Sequence, residues 1–322
     1  MILLTGATGT VGSALLRRLT AAGTPVRCLV REPKRLGPER VRVQIALGDL
    51  ADPASFRNAL RGVDTVIHLA ASIRDQPHGS IEELNAMATL RLVRGAEKAG
   101  ARRFLFASAI NASLQSPTRF FRAKALARGA VESADLDTTV FALSIAYTPG
   151  DPWMRILDRL SHLPVLPIAG DGEARFQPIW AEDVADCLMA ALDLPPGPSD
   201  REPVGRSGKR TPTRDGDAVG SDGHAHRSFD LAGPEVLSYD EIAERALRPT
   251  GRRRPLLHVP MPAVRVGLRA LERIVGPSVF ATPEEVDLME EPMTSPRGTA
   301  DAESLGVNPL RMSAVLGSAP AA

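Results

Sequence analysis

Three glycines at intervals of three, Gly6, Gly9 and Gly12 in Thr5-Gly6-Ala7-Thr8-Gly9-Thr10-Val11-Gly12, constrain this chain more than any other feature. They follow the apolar run Met1-Ile2-Leu3-Leu4 and precede Val11, Ala14, Leu15 and Leu19, which recur at helical spacing. The unit reads strand, glycine turn, helix. Glycine suits such a turn because the chain reverses tightly and because a backbone without Cβ lets a pyrophosphate approach. The helix that follows offers free N–H groups and the positive end of its dipole to that anion. Gly6, Thr8, Gly9, Thr10, Val11 and Gly12 are therefore the expected phosphate contacts.

Beyond the turn, β-branched and apolar runs alternate with amphipathic stretches, which is the pattern of a parallel sheet covered on both faces. Strands are expected near 1–5, 26–30, 42–46, 63–69, 102–107 and 138–146. The fold class is α/β, a doubly wound parallel sheet of the Rossmann kind with a smaller, mainly helical C-terminal lobe. The spacing assigns 1–150 with 174–194 and 228–232 to the nucleotide domain, and 151–173 with 233–322 to the lobe. Residues 195–227, rich in Pro, Gly, Ser, Asp and Arg, lack the apolar side chains that offset ordering entropy and read as a disordered insertion. Ser238-Tyr239-Asp240-Glu241 and Thr282-Pro283-Glu284-Glu285 are capping-box signals that each open a helix in the lobe.

Composition excludes several classes. A net charge of +1 argues against a dedicated nucleic-acid binder. Two cysteines, Cys28 and Cys187, make neither a disulfide framework nor a metal cluster, and no metal site is expected. No apolar run reaches the length of a membrane span and no signal-peptide pattern is present, so the expectation is a cytoplasmic protein in a reducing compartment. In 261–275, Arg265, Arg269 and Arg273 recur every four residues beside an apolar set, Val264, Leu268, Leu271 and Ile274. That stretch reads as a lobe helix with a solvated arginine face, the alternative being a helix lying on a membrane surface or a partner.

The end of the second strand bears on which nucleotide binds, since a carboxylate there accepts from ribose hydroxyls and an arginine pairs with a 2′-phosphate. Here Val30 is followed by Arg31, with Lys34 and Arg35 close by, which favours NADP(H) over NAD(H). Asp49 and Leu50 past the third strand, and Leu69, Ala70 and Ala71 past the fourth, lie on the carboxyl edge where ligands of open α/β sheets bind. His68, inside an apolar strand, reads as a hydrogen-bonded interior residue. Asp183 reads as capping or orienting the helix that follows it.

Several segments together resemble the extended and atypical short-chain dehydrogenase/reductase superfamily, in its NmrA-like and complex-I-subunit-like NAD(P)-binding branch. They are Leu3-Leu4-Thr5-Gly6-Ala7-Thr8-Gly9, Val26-Arg27-Cys28-Leu29-Val30-Arg31, Gly48-Asp49-Leu50, Phe176-Gln177-Pro178-Ile179-Trp180-Ala181-Glu182-Asp183-Val184-Ala185 and Leu231-Ala232-Gly233-Pro234-Glu235-Val236-Leu237. The resemblance implies a Tyr-x-x-x-Lys pair on the helix after the fifth strand and a serine at that strand's end. Ser108 and Lys124 match, whereas Phe120 stands where the tyrosine belongs. It also implies an Arg-Pro on the sixth strand, where this chain has Ala142-Leu143. Loss of the phenol removes the usual proton donor but leaves the lysine that binds the nicotinamide ribose. With four lysines against 35 arginines, a lysine at 124 points to a specific task.

The expected catalytic residues are thus Lys124 and Ser108, with Phe120, Phe121 and Tyr147 as candidates for the substrate pocket. The expected function is an NADP(H)-dependent oxidoreductase that transfers hydride to a small carbonyl, enone or quinone-like molecule, acting as a monomer or homodimer. The alternatives are a catalytically degenerate NADP(H)-binding sensor or assembly protein and, more weakly, a nucleotide-sugar epimerase or dehydratase, whose chemistry also needs the missing tyrosine.

Overall fold

Successive residues of a strand point to opposite faces of a sheet, and the first strand shows what this does to the core. The computed structural model describes residues 1–195, 217–219, 225–275 and 281–318. In β1 (Ile2–Thr5), Ile2 and Leu4 enter one apolar cluster while Leu3 enters the cluster on the other face, and all are buried. A strand buried on both sides needs helices on both sides. Helix α1 (Thr10–Ala21) and a later helix named below cover one face; α2 (Ala88–Ala99) and α3 (Arg119–Glu132) cover the other.

The remaining strands of the main sheet are β2 (Val26–Val30), β3 (Gln44–Leu47), β4 (Thr65–His68), β5 (Arg103–Ala109), β6 (Asp137–Leu143) and β7 (Ala225–Leu231). Their order is β7-β6-β5-β4-β1-β2-β3, all parallel, with Asp217–Val219 antiparallel on the outer edge of β7. Thr5 pairs with Leu29 on one side and His68 on the other, so the strand order reverses at β1 and β4. A doubly wound sheet opens its ligand crevice at such a reversal, outside the carboxyl ends.

Helix α4 (Pro152–Leu160) starts the lobe with Asp151 as N-cap, its carboxylate accepting from the Met154 N–H at 2.8 Å, and Pro152 in the first turn. Helix α5 (Ala181–Leu192) returns to the sheet and packs on α1 through Val184, Cys187, Leu188 and Ala191. Its Asp186 and Glu182 hold Arg18 on that helix. Helix α6 (Tyr239–Leu247) and the short helix Pro283–Asp287 both open with complete capping boxes at Ser238 and Thr282. Helix α7 (Met261–Val275) follows a strand, Leu256–Val259, that pairs with Leu166–Ala169. Among the described residues no helix is long and apolar enough to cross a membrane.

Three expectations need correction. Residues 225–227, assigned to the insertion, form the start of β7 (Ala225–Leu231). The Asp137 carboxylate accepts from Ala225 N–H and Thr138 bonds His226, so pairing with β6 extends to the start of that strand. The rest of 195–227 falls largely outside the described residues. Asp183 does not cap its own helix: its carboxylate accepts from the Leu310 N–H at 2.8 Å and so fastens the C-terminal segment to α5. Ile274 leaves the apolar face of α7 and is 83% exposed, as described below.

Candidate functional site

The glycine loop earns its composition from its geometry. Gly6 has φ +75°, a left-handed conformation, and a Cβ there would stand 2.5 Å from Ala70 N. A Cβ on Gly12 would stand 2.0 Å from the Gly6 carbonyl oxygen, so α1 can pack onto the turn only without a side chain there. The Gly9 N–H closes the loop on the Gly6 carbonyl at 2.9 Å. Gly9 is also the N-cap of α1, with no side-chain cap and no acidic residue in the first turn. The helix therefore presents its first N–H groups and its positive dipole end to the crevice, ready for an anion.

That crevice has a volume of about 440 Å³ and is walled by Gly6, Thr8 and Gly9, by Arg31, Glu32 and Arg35 past β2, by Asp49 and Leu50, and by Leu69, Ala70 and Ala71. The structure thus brings together the expected loop, strand-end and acidic residues. Arg31 and Asp49, read from sequence as separate contacts, face each other at 3.9 Å. Asp49 is held in turn by the Ala51 N–H, which donates to its carboxylate at 3.0 Å.

Lys124, Ser108, Thr10, Val11 and Gly12 are not among the residues that wall this crevice. Lys124, on α3, is buried and its Nζ donates to the Ala107 carbonyl at 2.7 Å. The ammonium lies 4.9 Å from the centre of the Phe106 ring and 5.8 Å from that of Phe120. Burial lowers its pKa to about 7, because a charged amine loses its hydration there. One strand position on, the Ser108 hydroxyl is buried with no hydrogen-bond partner among the described residues. A buried orphan hydroxyl one residue on from the acceptor of an amine with donors to spare fits the sugar and carbonyl oxygens of a ligand. Together with the side-chain-free cradle and the uncapped helix, this set fits a nicotinamide dinucleotide.

A family model described as NAD(P)H-binding matches residues 6–195, more than half of the chain. The chain belongs to this NAD(P)H-binding family. It is 27% identical over 251 residues to the mitochondrial NADH dehydrogenase [ubiquinone] 1 alpha subcomplex subunit 9 of Arabidopsis thaliana, a match covering 74% of this chain and 55% of that one. It is 26% identical over 258 residues to the NAD(P)H azoreductase of Xenophilus azovorans, covering 78% and 74%. Among solved structures, the NADPH-dependent quinone oxidoreductase QOR2 of Escherichia coli, complexed with NADPH, superposes with a TM-score of 0.70 over 98% of this chain and 99% of that one at 14% identity. This last likeness shows the fold.

In this NAD(P)H-binding chain His68 is an interior residue. The Thr89 hydroxyl donates to the Asn85 carbonyl, so it accepts from His68 Nε2, and Nδ1 accepts from the Thr5 hydroxyl at 2.6 Å. Burial pushes the imidazole pKa down to about 3 and the nearby Lys124 charge adds to the shift, which keeps the ring neutral. Phe120 packs on Ile81, Ala86 and Ala123, and its ring meets Phe121 at 5.7 Å. Phe121 and Tyr147 lie in packed interior: Phe121 is 1% exposed, and Tyr147 is fully covered in the lobe core beside Met154 and Phe176. Burial raises the Tyr147 phenol well above its usual range.

Sequence reasoning missed the wall formed by Ser72, Gln76 and Leu84. Asn85 holds that wall: its amide donates to the Ser72 and Ile81 carbonyls, both at 2.7 Å, and accepts from the Ser72 N–H. The available signal was a lone asparagine between Leu84 and Ala86, and the chain makes a π-helical turn there, Glu83–Met87. Arg74 then ties the same loop to Glu285 of the lobe through two hydrogen bonds of 2.8 and 2.7 Å.

Proposed function

We propose that this protein is an NADP(H)-dependent reductase that passes hydride to an electron-poor acceptor, a quinone-like molecule before an enone or a simple carbonyl. The observation that carries this reading is the buried Lys124 ammonium bonded to the Ala107 carbonyl, one residue before the buried Ser108 hydroxyl that has no partner among the described residues, on a strand of the same sheet whose carboxyl edge bears the glycine-loop crevice. When bound, NADPH supplies the hydride. The N–H groups of the loop and of α1 would hold its pyrophosphate, Arg31 its 2′-phosphate, and Lys124 a ribose hydroxyl. Ser108 would donate to the acceptor's oxygen, and Lys124, with its pKa near 7, can hold or release a proton at Nζ.

Phe120 decides between acceptors. A simple ketone becomes a strongly basic alkoxide as it accepts hydride and needs an acid in contact with its oxygen. A quinone delocalises the charge, so the proton can come later from Lys124 or water, and an apolar ring at position 120 is tolerated. Phe120 equally supports a second reading, a nucleotide-loaded sensor or assembly protein without turnover.

The test is NADPH oxidation over a panel of quinones, enones and ketones, with wild type and Phe120→Tyr in parallel. Quinone turnover by wild type, with ketone turnover rising at least ~10-fold in Phe120→Tyr, is the expected result. Tight NADPH binding with no turnover of any acceptor by either protein would replace the reductase by the sensor.

A further inference from the structure

Helix α7 is apolar on both sides, although among the described residues only one side is packed. Met261, Val264 and Leu268 face the lobe and pack with Ala169, Ala281 and Val286. The opposite face carries Ala263, Val266, Gly267, Ala270 and Ile274, all exposed, with Val266 at 67% and Ile274 at 83%. Arg269 and Arg273 are exposed on the same helix, whereas Arg265 turns inward to Asp287 at 2.8 Å. Among the described side chains of the exposed face there is no carboxylate.

The charge around this face is lopsided. Residues 245–281 contain eight arginines and one acidic residue, Glu272, in a chain whose net charge is +1. Of those arginines, Arg252 is engaged by Asp158 at 2.7 Å, while among the described residues no ion pair involves Arg248, Arg253, Arg269 or Arg273. An exposed apolar stripe flanked by arginines with no ion pair among the described residues matches a surface that is apolar just below a layer of negative charge. A second copy of this chain is a poor match, because it would set segments of eight arginines and one acidic residue against each other. With 15 residues and exposed charges, the helix can lie on a bilayer but cannot cross it.

From this we infer that the outer face of α7 docks the protein on an anionic lipid surface, with Val266 and Ile274 entering the acyl boundary and Arg269 and Arg273 meeting lipid phosphates. Docking there needs neither the cofactor nor turnover, so it stands apart from the reductase reading.

The experiment is flotation of the full-length protein with vesicles of phosphatidylcholine alone and of phosphatidylcholine mixed with phosphatidylglycerol. Wild type is expected to float only with the anionic vesicles and to release as salt screens the charges. Val266→Asp/Ile274→Asp and Arg269→Gln/Arg273→Gln should each lower the bound fraction at least ~10-fold, since each removes one of the two required terms. Both pairs are exposed, so unchanged thermal melting and NADPH binding confirm that the variants fold. Absence of flotation, equal flotation with neutral vesicles, or flotation unaffected by Val266→Asp/Ile274→Asp would overturn the inference. A concentration-dependent dimer dissolved by that same pair would overturn it in favour of self-association.

Discussion

The glycine-loop crevice and the Lys124 position belong to the same sheet but work by opposite physics. At the glycine loop the groups that face a ligand are backbone N–H donors and half-exposed charges, with Arg31 only 3.9 Å from Asp49. Water screens such charges, so they contribute little to stability, and on the proposed reading they would discriminate between nucleotides. At Lys124 a single amine with one backbone acceptor is shut away from water, and burial alone moves its pKa from 10.5 to about 7. On that reading the open site would work by shape and donors, and the buried one by desolvation.

The sharpest way to break this contrast is to fill the cradle. Gly12→Ala puts a Cβ 2.0 Å from a backbone oxygen, so NADPH affinity should fall more than ~100-fold with a clear loss of melting temperature. Gly129→Ala, where a Cβ meets nothing within 4 Å on an α3 position, is the control and should be neutral or stabilising by about 0.5–1 kcal/mol. Nucleotide fluorescence titration and calorimetry read both.

Lys124→Met addresses the buried site and should weaken NADPH binding about 10- to 100-fold, the worth of a hydrogen bond to a charged donor. The sign of its pH effect follows from the folded value near 7 lying below the unfolded value of 10.5. Between those two the unfolded chain binds more protons, so wild-type stability gains a contribution as pH rises from about 7 towards 10.5 and carries the full penalty below 7. Lys124→Met should therefore stabilise the protein more at pH ~6 than at pH ~10, seen as converging melting curves. Wild-type NADPH affinity should fall as pH rises through the free-protein value, and the variant should show no such slope.

The smallest effect sharpens the open site. Arg31→Ala should weaken NADPH about 10-fold and NADH less than ~2-fold, because it removes one screened charge that only a 2′-phosphate uses. Equal losses for the two nucleotides in the same titration would show that Arg31 supports the loop rather than reading the phosphate.

Local rules made much of the molecule legible. The glycine spacing, the buried strands and the boxes at Ser238 and Thr282 depend on neighbours within a few residues, and each took the expected shape. What was misread depended on distant partners. Asp183 answers to Leu310 and Ala225 answers to Asp137. Ile274 lies about 80° around the helix from Val264, and nothing in its own segment says where the packing on α7 ends.

The sequence by itself determined a nucleotide cradle, since residue type and spacing suffice for turns, helix starts and periodic faces. Lys124, Ser108 and the absent phenol at Phe120 were pointed to by the family resemblance. Only the tertiary structure decided that Lys124 is buried enough to titrate near neutrality, that His68 is a neutral interior residue, and that α7 keeps one apolar face uncovered among the described residues. Those properties come from desolvation and from what packs against a side chain, and both are set by segments far away in the chain.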